Sequence, residues 1–284
     1  MNRLRSIACG LALLASTLAH AQGSEVIAEL RAHRFEDIEH QLQAVDAAFQ
    51  AGQRVSEEDL LDAYKVFYMP QDVLSEDMAA WVHAMPRSSI ARLASGTYRR
   101  KLGEMRRGQG FAQSVPENDQ RYMLSQFELA RSDLRAALRL NPRSYLAILN
   151  LMNIAMFTSD DALADEMLAL GNAAYPRNLL IRARYEAHLA PRWGGSLAAM
   201  DAFIEAPSSA SAPANVVQLL KAVRCNEQGF EEERGGRRDL AVATYRRCVE
   251  LGRGADVRFL NGYLSNTMMH CRALGIGDDV ATCR

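Results

Sequence analysis

Apolar residues recur at intervals of three and four along almost the whole chain, while alternating β-branched runs and Asn-Gly hairpin signals are missing. This pattern predicts an all-α protein. Ile38, Leu42, Val45 and Phe49 share one face of a helix that ends at Gly52. Ser56 followed by Asp59 has the form of a capping box, opening a helix through Leu60, Tyr64 and Phe67 that Pro70 stops. Ser75 is expected to cap the next helix, with Met78, Trp81, Val82 and Met85 inward and Pro86 beyond its end. Ser88 or Ser89 starts a longer one that places Ile90, Leu93, Tyr98, Leu102 and Met105 inward. It gives way at Gly108 to a loop over 108–115.

The centre of the chain carries a sharper pattern. A helix from about Pro116 closes on Asn141 and Pro142, and another from about Asp160 closes on Tyr175 and Pro176. The two prolines are 34 residues apart, the length of a tetratricopeptide repeat. Counting back from each, the small residue at twelve is Ala130 or Ala164, the large one at eight is Leu134 or Leu168, and the small one at five is Ala137 or Gly171. Such repeats need small side chains where paired helices touch and a large one to fill the neighbouring groove. The fold expected is a set of stacked antiparallel helix hairpins, a tetratricopeptide-like α-solenoid. Tyr122, Phe127, Leu134 and Leu138 read as its core stripe. Gly229, Ala241, Tyr245 and Cys248 repeat similar spacings across a turn at Gly235 and Gly236. The segment 207–213, rich in Pro, Ser and Ala, reads as a linker. The organisation predicted is therefore an N-terminal helical region over 22–115, repeats over 116–206, and a C-terminal helix pair plus helix over 214–284.

The chain start adds an address. Arg3 and Arg5 precede an apolar run from Ile7 to Leu18 that closes on Ala19, His20 and Ala21. Residues 1–21 read as a secretory signal peptide cleaved near Ala21 and Gln22, too short in its apolar part to span a bilayer. No later stretch is apolar over membrane length, so a soluble periplasmic or secreted protein is expected. Cleavage shifts the formal net charge from −1 to about −3. That leaves no basic field for nucleic acid. Apolar residues at 49% with 24% charged are ordinary for a folded chain. Export also gives meaning to Cys225, Cys248, Cys271 and Cys283, an even set that implies two disulfides with three possible connectivities. Antiparallel partners equidistant from a turn face each other, and Cys225 and Cys248 flank Gly235 and Gly236 at similar distances. Cys225–Cys248 is therefore the favoured bond, with Cys271–Cys283 tying down the tail.

Several segments are similar to a bacterial family known as domain of unknown function 4034, whose members look like helical-repeat proteins. They are Leu30 to Phe35; Trp81 with Pro86, Ser89 and Ala91; Tyr98 leading to Arg107 and Gly108; Ala137 and Leu138 ending at Asn141 and Pro142; and Pro191 to Ser196 before Phe203. The likeness spans roughly 25–250 and is most specific at Trp193, Gly194, Gly195 and Ser196. It implies a helical-repeat fold and carries no activity with it. The late cysteines lie outside it.

The sequence contains no zinc-protease helix, serine elbow, phosphate loop or dinucleotide fingerprint. No cofactor and no metal are expected. His33, Asp37 and His40 fall at i, i+4 and i+7, a spacing that a solvated helix face also produces. The basic run Arg99, Arg100 and Lys101 with Arg106 and Arg107 offers an anionic partner a surface, but reads first as the polar side of its helix. Arg192, Trp193, Gly194 and Gly195 are the candidate partner-binding residues. Their bland alternative is a core tryptophan, a Gly-Gly turn and a Ser196 cap. The function expected is a periplasmic scaffold binding another protein or peptide in a concave face. The alternatives are a cell-envelope enzyme or accessory using scattered groups such as Glu186 and His188, and an immunity-type protein that blocks a toxin.

Overall fold

A computed structural model describes residues 25–69, 74–108, 112–253 and 271–275, and among these there is helix and turn but no strand. The chain divides into two units, Met1–Ala147 and Ile148–Arg284, with the boundary inside a helix rather than at the 207–213 segment. The signal-peptide reading and Cys283 lie outside the described residues.

The first unit begins with helix α1 over 25–31. It continues through α2 (Phe35–Gln50), α3 (Glu57–Ala63), α4 (Lys65–Tyr68), α5 (Ser75–Ala84), α6 (Ser89–Arg107) and α7 (Glu117–Leu140). Local signals set most boundaries. The Ser56 hydroxyl accepts from the Asp59 N–H while the Asp59 carboxylate accepts from the Ser56 N–H, completing the capping box. Ser88 caps α6 by accepting from the Ala91 N–H at 2.9 Å. Gly108, at φ +72°, ends it.

Tertiary packing overrides the pattern in four places. The helix expected to run from Ser56 through Phe67 breaks at Tyr64, whose fully buried ring fixes the chain between α3 and α4. Ser75 is the first residue of α5 and caps nothing; its hydroxyl meets that of Tyr98 at 3.2 Å. Met105 and Tyr122, both expected inside, are exposed. His33 lies in the turn between α1 and α2, with φ +54°, and its ring pairs with Asp77, so it shares no helix face with Asp37 and His40.

Helices α6 and α7 form the closest pair in this unit, and they are antiparallel. A Cβ built at Gly96 would stand 2.6 Å from the Leu134 side chain and 3.1 Å from the Ala130 carbonyl, so only glycine permits this approach. A charged clip holds the same contact. The Asp133 carboxylate accepts from Arg92 at 2.8 Å and from the Ser95 hydroxyl at 2.7 Å, and Arg99 lies 3.4 Å away.

Helix α8 (Tyr145–Thr158) carries the chain into the second unit, and every residue from Tyr145 to Met156 is buried. There follow α9 (Asp161–Ala174), α10 (Leu180–His188), a 3-10 turn (Pro191–Trp193), α11 (Leu197–Glu205), α12 (Pro207–Ala210), α13 (Ala214–Arg234) and α14 (Arg238–Gly252). A helical turn occupies 271–273. The 207–213 segment is thus partly helical, with Ser209 buried. Asp160 caps α9 through the Leu163 N–H at 3.1 Å. Helices α9 and α10 run antiparallel: a Cβ at Gly171 would meet Ile181 at 2.8 Å, Tyr185 reaches Asp165, and His188 reaches Asp161. Ala130, Ala137, Ala164 and Gly171, the small residues of the 34-residue pattern, are all buried. Leu134 is fully buried, whereas Leu168 is half-buried.

Hairpin α13–α14 closes the described fold. Cys225 and Cys248 form a disulfide with their Cα atoms 5.4 Å apart, as the equidistance from Gly235 and Gly236 predicts. Val216, Leu219, Leu220 and Val223 set the buried face of α13. Gly229 lets Tyr245 lie against the backbone, because a Cβ there would come within 2.5 Å of the ring. Cys271 is disulfide-bonded as well; its expected partner, Cys283, is not among the described residues.

Candidate functional site

The loop singled out by the sequence is built for packing. Pro191 starts the 3-10 turn, and Gly194 leaves it in the left-handed region at φ +97°. At Gly195 a Cβ would lie 2.0 Å from the Leu189 carbonyl oxygen, so no other residue fits. Ser196 then caps α11 by accepting from the Ala199 N–H at 3.0 Å. Trp193 is half-buried, its ring edge-on to Phe157 with centroids 5.0 Å apart. Arg192 turns inward: its Nε donates to Glu227 Oε2 at 2.8 Å, and its guanidinium stacks on Phe230 at 3.6 Å. The four candidate residues therefore join α10, α11 and α13.

Arg192 leads into a partly buried polar cluster that the sequence did not reveal. Glu186 from α10, Asp201 from α11, and Arg224, Asn226, Glu227 and Gln228 from α13 surround it. Arg224 grips Asp201 with two bonds, Nε to Oδ1 at 2.7 Å and Nη2 to Oδ2 at 2.8 Å, and Nη1 donates to Gln228. Arg272 donates to Asn226 Oδ1 at 3.2 Å and lies over the rings of Phe230 and Tyr245. Burial raises the pKa of both Glu186 and Glu227. For Glu186 the neighbouring charges of Glu227 and Asp201 add to this, opposed by Arg224. For Glu227 the Arg192 guanidinium works against burial. Asn226 and Glu227 extend the stripe Val216, Leu219, Leu220, Val223 along the inner face of α13, which is the one sequence signal that pointed here.

Glu186 and His188, the groups named for an enzyme, do not converge. Two positions apart on a helix, they face opposite ways. Glu186 turns to the buried cluster, while His188 pairs with Asp161 at 2.8 Å.

The first unit has its own pair of perturbed acids on α2. Burial lifts Asp46 to about 6, with the Tyr64 hydroxyl beside it and the charge of Glu39 adding a smaller push. Burial likewise raises Glu39, which accepts from the Ser88 hydroxyl. The basic run of α6 is largely paired: Arg99 with Asp133, Arg100 and Lys101 with Glu104, and Arg106 with Asp119.

Helices α8 and α10, which as first members of repeat pairs would line a concave groove, have almost no wet face. Tyr145 to Met156 are buried, as is every residue of α10 except Tyr185. Large apolar side chains are exposed elsewhere: Met105 on α6, Tyr122, Leu124, Leu129 and Leu140 on α7, Leu170 on α9, and Leu240 on α14. Tyr122, Leu129 and Leu140 fall within a few tens of degrees of one line along α7. A small cavity of about 150 Å³ lies between α14 and the 271–275 segment, lined by Glu233, Arg238, Tyr245 and Arg272 among others. Among the described residues no cluster of three or more metal-binding side chains occurs, and no helix is long and apolar enough to cross a membrane. No family profile, curated protein or solved structure matches this chain.

Proposed function

We propose that the chain is an exported helical-repeat module that binds another protein or a peptide, and that it has the repeat architecture which the resemblance to domain of unknown function 4034 implies. The 34-residue pattern supports the repeat reading, since its small residues are all buried and Gly171 sits where a Cβ would collide with Ile181 of the next helix. Export is supported by the signal-like segment 1–21 and by the Cys225–Cys248 bond, which an oxidising compartment favours.

The single observation that carries the binding reading is the placement of exposed apolar groups. They gather on α7, while α8 and α10 are buried. The partner surface is therefore the flank of α7 along Tyr122, Leu129 and Leu140, not a concave groove and not the Arg192 to Gly195 loop. Such a row of exposed apolar side chains is what an interface uses.

A photo-crosslinking amino acid placed at Leu129 tests this in cells that export the protein. The expected outcome is one discrete adduct that is missing when the probe sits at the exposed Arg237. No adduct at Leu129, or the same adduct at both positions, would rule the surface out. The periplasmic fraction should contain the chain beginning near Gln22; a cytoplasmic chain retaining Met1 would contradict export.

A further inference from the structure

Glu186, Asp201, Glu227 and Glu231 gather with Arg192, Arg224 and Arg272 around the α10–α13 contact, and Glu231 is paired in turn with Arg234. Their hydrogen bonds show how they pair. Both oxygens of Asp201 accept from Arg224, Oε2 of Glu227 accepts from Arg192, and Arg272 binds Asn226 and stands over two rings. Glu186 is left over. Its side chain is fully buried and neither carboxyl oxygen accepts a hydrogen bond; Oε1 of Glu227 accepts none either.

No other side chain of α10 hydrogen-bonds Glu186, the buried Arg184 included. Tyr185 bonds Asp165 and His188 bonds Asp161, both on α9, while Arg182 donates to the Pro176 and Asn178 carbonyls. A buried carboxylate with no donor is far costlier than a buried carboxylic acid. A carboxylic acid also has one hydrogen to donate.

We propose that the cluster is a proton-held latch, in which Glu186 is kept as the neutral acid facing Glu227 and the α10–α13 contact loosens when that proton is lost. Glu186 is pushed well above the ordinary carboxyl range by burial first and by the charges of Glu227 and Asp201 second. The sign follows. A group whose folded pKa is raised contributes its full stabilisation below the unfolded value near 4.5 and loses it as pH rises toward the folded value. The latch holds in acid and weakens in alkali.

Hydrogen exchange of α13 amides in the full chain, corrected for intrinsic exchange, reads the effect in the native protein and in Glu186→Gln. Glutamine keeps the shape of the neutral acid and cannot ionise. The expected result is equal protection near pH 4.5 and, above it, a native-to-variant ratio of opening constants that grows about tenfold per pH unit. A ratio independent of pH, or a variant less protected than the native chain at pH 8, would overturn the latch. Carbon-13 spectroscopy of glutamate-labelled native protein gives an answer that needs no variant. One carboxyl signal should remain at the protonated position at pH 7 and move on unfolding; its absence would overturn the proposal.

Discussion

Removing the Cys225–Cys248 bond should weaken the α13–α14 hairpin by about 3 kcal/mol. The figure follows from the sequence separation of 23 residues, which sets the loop-closure entropy that the bond removes from the unfolded chain. Cys248 is fully buried and Cys225 nearly so, packed with Ala222 against Val249 and Leu251, so truncation also removes packing. The two contributions separate by comparing Cys225→Ala/Cys248→Ala with the reduced native chain, which keeps both sulfurs. Because Cys271 is also disulfide-bonded, reduction should be done in a background lacking Cys271 and Cys283. The assay is hydrogen exchange of α13 amides. A loss of about 3 kcal/mol lowers their protection by roughly two orders of magnitude. The reduced chain should show most of the loss and the alanine pair slightly more. A change below tenfold in both would refute the reasoning, since the bond would then be constraining nothing in the unfolded chain.

Three further outcomes follow from named contacts. Gly229→Val should cost about 1–3 kcal/mol in a thermal melt, because the new side chain strikes the buried Tyr245 ring, whereas Gly235→Ala meets nothing closer than the Glu231 carbonyl oxygen at 3.3 Å and should cost much less. Asp133→Ala should cost about 3 kcal/mol by urea unfolding, since it strips Arg92, Arg99 and Ser95 of their shared partner, while Asp133→Asn should cost less; equal effects would show that charge is irrelevant there. Asp46→Asn should flatten a pH dependence. Asp46 is raised from 3.8 to about 6, so the native chain loses up to about 3 kcal/mol relative to the variant as pH climbs through that window and gains it back in acid. Parallel stability curves for the two proteins would exclude this.

Legibility in the sequence tracked how local each cause is. The Ser56 and Asp59 box, the Ser88 cap and the stop at Gly108 depend on neighbours within four residues, and the sequence displayed them. The Cys225–Cys248 pairing needed only a turn and a count. The break at Tyr64 was hidden because burial of its ring decides it, and the apolar spacing through Phe67 continues regardless. Met105 and Tyr122 look inward by periodicity but lie at the ends of long helices, past the contact that buries Leu102 and Phe127. The buried cluster was the hardest to see. Its members come from 186, 192, 201, 224, 227 and 272, and only long-range contacts assemble them. Asn226 and Glu227 interrupting the apolar stripe of α13 were the visible trace, and polar residues in such a place imply partners elsewhere in the chain.

The central claim is the repeat, and an experimental structure of the mature chain tests it most directly. Superposition after a shift of 34 residues should bring Ala130 onto Ala164, Ala137 onto Gly171 and Pro142 onto Pro176, with the helix preceding each second member, α6 or α8, falling in the same place. If α7 and α9 superpose while α6 and α8 cross them at unrelated angles, the spacing of the prolines is a coincidence and the helical-repeat account fails.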